Sequence, residues 1–155
     1  MAFPAKYTHA AMATARLCVA NALDGTNRPA RDLIIPHCTY TDPEVATVGL
    51  TPVRAAEEGV ALDTHRLELA KVERAFIDGE EERFAAVYTR QGTGEIVGAT
   101  LVAAHAGEMI SELTLAVTSK LTLEALAETV LSPWSVAVGW RTVSAPSAVR
   151  LRCEV

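Results

Sequence analysis

"RFAAVYTRQGTGEIVGATLVAAHA", residues 83–106, decides the architecture. Two apolar runs flank Gln91-Gly92-Thr93-Gly94, and a short glycine-rich spacer between two strand-like segments makes an antiparallel hairpin. The spaced glycines of "GTGEIVG" superficially suggest a dinucleotide loop. That loop must join a strand to a helix, and here it joins two strands. The segment therefore builds sheet.

Upstream, "VALDTHRLELA" (60–70) alternates as a strand, with Leu62, Thr64, Arg66 and Glu68 set against Asp63, His65, Leu67 and Leu69. "KVERAFIDGEE" connects it to the hairpin through a turn at Asp78-Gly79. Earlier still, "CTYTDPEVATVGL" (38–50) reads as two short extended runs hinged on Asp42-Pro43-Glu44. Asp before Pro starts turns, so Asp42 and Glu44 are expected to be bend residues facing water, not a catalytic carboxylate pair. Thr51-Pro52 opens a short helix that Gly59 ends. Residues 7–23 form a helix with Thr8 as N-cap and a loose apolar face of Leu17, Val19 and Leu23, stopped by Gly25 and Pro29.

Downstream of the hairpin, Met109, Ile110, Leu113 and Val117 recur at helical spacing, giving a helix over 107–120. Thr122 caps a second helix carrying Leu123, Leu126 and Ala127. Strands first and helices last predict an α+β fold, a mostly antiparallel sheet covered by helices. Beyond Val130 neither periodicity nor caps are evident.

The 155 residues suffice for one domain with a core, and half of them are hydrophobic. A net charge of −5 with no long basic cluster argues against a nucleic-acid partner. No apolar run approaches a membrane span, and three scattered cysteines (Cys18, Cys38, Cys153) without a leader suit a reducing compartment. The expectation is a soluble cytoplasmic protein. The cysteine spacing offers no metal site, and no two of His9, His37, His65 and His105 stand i, i+4 on a helix. His105 is expected to bond backbone where the long helix begins, and Cys38 to be a core thiol.

The run "IPHCTYTDPEVATVGLT" (35–51) resembles the opening of the C-terminal dimerisation domain of the pyridine nucleotide-disulfide oxidoreductases, the group of mercuric reductase, dihydrolipoamide dehydrogenase and glutathione reductase. Residues 74–113, with Thr93-Gly94-x-Ile96 and Ala106-Gly107-Glu108-x-Ile110, resemble the strand, turn and helix that follow there, and "LTLEALAET" (121–129) is a third match. The resemblance divides the chain into an N-terminal helix (1–32) similar to the end of an FAD-binding domain, a dimerisation domain (33–130) and a divergent tail (131–155). It implies a homodimer. Gly107, Ile110, Leu113, Val117, Pro133 and Trp134 are its expected interface residues.

The family uses FAD and NAD(P)H, yet the chain shows no glycine-rich strand-to-helix loop and no closely spaced redox-active cysteine pair. Mercuric reductases carry a vicinal cysteine pair near the C-terminus, where this tail has Cys153 alone. The family's His-Pro-x-Pro-Thr string, with a Glu seven residues after the His, aligns without a gap between Glu128-Thr129-Val130 and Trp140-Arg141. That places Leu131 at the His and Val138 at the Glu. Neither side chain moves a proton, so no catalytic residue, cofactor-binding residue or metal ligand is assigned.

The leading reading is thus a free-standing, self-associating dimerisation domain, either a fragment or a truncated product, without catalysis or a cofactor of its own. Two others stay open. One is a docking or regulatory subunit forming heterodimers with an intact reductase; the other is a fragment contributing to a flavin oxidoreductase site. The parent substrate (mercuric ion, a lipoyl group or another disulfide) also stays open.

Overall fold

The computed structural model describes residues 6–79 and 83–130, together with the backbone of 150–152. Helix α1 (Thr8–Leu23) leads into strands β1 (His37–Thr39) and β2 (Glu44–Gly49), helix α2 (Pro52–Glu58) and strand β3 (Leu62–Glu68). A short helix α3 (Glu73–Ile77) precedes the central hairpin of β4 (Phe84–Arg90) and β5 (Ile96–Ala103). Helices α4 (Ala106–Thr118) and α5 (Leu123–Glu128) follow, and β6 (Arg150–Arg152) comes last.

The six strands lie in the order β1-β2-β5-β4-β3-β6, each neighbouring pair antiparallel. The expected hairpin is therefore the middle of the sheet, with Ala85 opposite Leu101 and Val87 opposite Ala99. On β5's other side, β2 pairs from Glu44↔Ala103 to Gly49↔Gly98. Gly49, at φ +69°, and Gly98 let the strands converge, because a β-carbon at either would run into backbone of the facing segment. The sequence reading has no strand beyond Val130, and β6 adds one along β3, at Asp63↔Arg152.

Alternation sends one set of side chains to the helical layer. Ala46, Val48, Leu67, Val87, Ala99 and Leu101 meet Ile110, Leu113, Ala116 and Val117 of α4 and Leu123 and Leu126 of α5 in one buried cluster. The α+β architecture expected from the sequence is the one observed. Helix α1 stands apart from this core: its buried residues are Ala10 and Leu17, and neither belongs to the cluster. No helix among the described residues is long and apolar enough to cross a membrane.

Several local expectations are met and some are corrected. Thr51 and Thr122 cap α2 and α5 by accepting from the amides of Arg54 and Ala125, and Gly59 ends α2 at φ +67°. Thr8 does not cap α1; Tyr7 holds the cap position with extended backbone and Thr8 is already helical. The connection over 71–79 contains α3, because Val72 and Ala75 have the spacing to reach the core. Ile110, Leu113 and Val117, expected at a partner surface, are buried in the chain's own core. A helix's apolar stripe satisfies its own sheet first, so the outward side of α4 is left to Glu108, Ser111, Leu115 and Thr118. Pro133, Trp134, Leu131 and Val138 lie outside the described residues.

Candidate functional site: the junction of the β1–β2 turn with α4

The chemistry-bearing residues of the first motif converge on the N-terminus of α4. Glu44 opens β2 and Gly107 is the second residue of α4. Because β2 lies beside β5, and β5 runs straight into α4, the two meet across 63 positions of sequence. The Gly107 amide donates to Glu44 Oε2 at 2.9 Å in a partly buried setting. An acceptor carrying negative charge there satisfies one of the helix's free amides and complements its dipole. Glu44 thus points inward, contrary to the water-facing expectation, and does the work expected of His105. His105 holds the N-cap position, but its side chain makes no capping bond; only its carbonyl participates, accepting from Glu108 and Met109.

Around this bond the junction is crowded. A β-carbon on Gly107 would stand 3.0 Å from the Tyr40 ring, 3.2 Å from Cys38 Sγ and 3.3 Å from Glu44 Oε2. Tyr40 itself is 79% exposed. Cys38 packs against the core as expected of a structural thiol. Burial, and secondarily the Glu44 charge, raise its pKa above the ordinary thiol value, which favours the protonated form. Asp42 is the bend residue the sequence suggests, with a side chain 93% exposed and Arg83 at 3.5 Å. Thr41 Oγ1 closes the turn by donating to the Pro43 carbonyl at 2.7 Å. In the sequence Glu44, like Asp42, was legible only as a turn residue. Its partner amide is remote in sequence, and the sole local hint is the small residue at Gly107.

The remaining candidates are dispersed. His9 Nε2 lies 2.6 Å from the Pro36 carbonyl, and Tyr7 stacks on both His9 and His37. His65 bonds buried Thr89 at 2.9 Å, and Cys18 is exposed on α1. No group of three or more His, Cys, Asp or Glu side chains among the described residues could hold a metal ion. The junction does not fit a dinucleotide either, since the N-terminus of α4, where a pyrophosphate would seek free amides, already carries the Glu44 carboxylate. Its arrangement fastens strand to helix.

Comparison with known proteins bears directly on this junction. The model of the pyridine nucleotide-disulphide oxidoreductase dimerisation domain matches residues 35–137, from the strand before the turn to beyond α5. The chain belongs to that family. Mercuric reductase of Streptomyces lividans is 35% identical over 123 residues, which are 79% of this chain and 26% of the relative. Dihydrolipoyl dehydrogenase of Chlamydia muridarum is 34% identical over 106 residues, 68% of this chain and 23% of the relative. The chain thus spans about a quarter of the length of these relatives. Among solved structures, LpdA from Mycobacterium tuberculosis superposes with a TM-score of 0.74 at 27% identity, over 83% of this chain and 28% of that one. The HOCl-induced flavoprotein disulfide reductase RclA of Escherichia coli shares the fold at a TM-score of 0.79 and 20% identity, over 90% of this chain and 32% of that one. The junction of β1, β2 and α4 lies wholly within the family's dimerisation domain.

Proposed function

We propose that these residues act as a self-associating dimerisation module of the family and carry no turnover of their own. The observation behind this reading is the match of the dimerisation domain to residues 35–137. The reading extends to cofactors: the module takes up neither FAD nor NAD(P)H unaided. Supporting that part is the sequence itself, which shows no glycine-rich strand-to-helix loop to hold a dinucleotide pyrophosphate. Leu131 and Val138, at the family's His and Glu positions, support the absence of turnover, since an alkyl side chain cannot relay a proton.

Light scattering at micromolar concentration tests self-association and should return twice the mass of a single chain. A monomer at every concentration would overturn the reading. The absorbance spectrum of the purified chain tests the cofactor part, and a yellow protein would overturn it. Co-expression with a family reductase whose own catalytic His is mutated tests turnover: mixed dimers should stay inactive, and restored disulfide or mercuric-ion reduction would refute the assignment of Leu131 and Val138.

A further inference from the structure

We propose that α1 is a clasped arm, a segment that opens from the sheet without unfolding it, with Tyr7, His9, Pro36 and His37 as the clasp. The first ground is where its apolar side chains go. Ala10 and Leu17 are buried, yet neither joins the cluster that unites the sheet with α4 and α5. Meanwhile Met12, Val19 and Leu23 face outward. Opening α1 therefore removes no member of that cluster.

The second ground is how α1 is tied down. Among the described residues, one side-chain hydrogen bond links it to the sheet domain, from His9 Nε2 to the Pro36 carbonyl at 2.6 Å. Beside it, Tyr7 stacks on His9 with ring centres 5.5 Å apart and on His37, in β1, at 5.8 Å. These near-parallel rings bridge the first turn of α1 to the edge strand. The far end closes on itself: Asn21 Nδ2 donates to the Arg28 carbonyl, while Asn21 Oδ1 accepts from the Arg28 amide and the Thr26 hydroxyl. That local knot fixes the exit from α1 without reaching the sheet. The helix is thus preserved as a unit and latched at one end, as expected of a cooperative sub-global opening.

Hydrogen exchange on the full chain, read by NMR, tests this. In the unmodified chain, amides within α1 should exchange through a smaller opening than those of β4 and β5. His9→Ala is a sharp probe because alanine is the better helix former. Were intrinsic helicity holding α1, its exchange would slow; with the clasp holding it, exchange in α1 should accelerate about three- to tenfold while β4 and β5 stay unchanged. His37→Ala, which leaves the helix untouched, should also accelerate α1 exchange through loss of the stack. Protection of α1 equal to that of β4 and β5 would overturn the proposal. So would slower exchange in His9→Ala, or acceleration in α1 and the sheet alike.

Discussion

Glu44 and Gly107 are joined by a hydrogen bond of 2.9 Å that ties the first residue of β2 to the first turn of α4. Glu44→Ala should destabilise the chain by about 1–2 kcal/mol, the cost of an unsatisfied, partly buried helix amide. Glu44→Gln keeps an acceptor and forfeits the charge, so its loss should be about 0.3–1 kcal/mol. Urea denaturation measures both. Equal midpoints for wild type and Glu44→Ala would mean that the bond adds nothing to stability.

The seat beneath Tyr40 supplies a second prediction. Gly107→Ala gains about 1 kcal/mol in helix propensity. Its new methyl, however, crowds the Tyr40 ring, Cys38 Sγ and Glu44 Oε2, all at 3.0–3.3 Å. Crowding by side chains anchored on two strands should win, leaving a net loss of about 1 kcal/mol. A double-mutant cycle with Cys38→Ala should recover part of it; strict additivity would show that the thiol is not the obstacle.

Neighbouring leucines of α4 separate packing from association. Leu113 is fully buried and Leu115 is 64% exposed. Leu113→Ala should cost about 2–5 kcal/mol of stability, whereas Leu115→Ala should change it by less than about 0.5 kcal/mol. If light scattering showed Leu113→Ala to lose self-association at unchanged unfolding free energy, the inward placement of that stripe would be wrong.

Cysteine chemistry gives a prediction with a defined sign. Burial and Glu44 raise the Cys38 pKa, so the folded state resists an ionisation that the unfolded state undergoes freely. Cys38 therefore contributes stability that is complete below the unfolded thiol's pKa and is lost as pH rises through the folded one. Cys38→Ala should flatten that alkaline slope. At neutral pH iodoacetamide should modify exposed Cys18 well before Cys38; the reverse order by mass spectrometry would contradict the raised pKa.

The elements legible in the sequence were those whose signals are local. The hairpin, the Thr51 and Thr122 caps and the Gly59 stop each rest on a few adjacent residues, and each stands where expected. What was illegible depends on distant partners. The periodicity of Ile110, Leu113 and Val117 defines an apolar stripe without saying whether it meets a partner or the chain's own sheet. Glu44 looked like its neighbour Asp42 because both are acidic and flank one proline; only the placement of β2 beside β5 gives one of them a helix to cap. His105 shows the converse, a residue in the right place whose side chain is not used.

The strand order also constrains how the chain can mature as it leaves the ribosome. The two innermost strands come from adjacent sequence, whereas Gly49 must await Gly98, a separation of roughly fifty residues. Until then β1 and β2 form a two-stranded ribbon, too small to persist alone, whose Ala46 and Val48 have nothing to cover them. The sheet therefore cannot be completed strand by strand from the N-terminus forward. The β4–β5 hairpin is the local unit onto which earlier segments must be added on both flanks, so β2 emerges well before the inner neighbour that covers it.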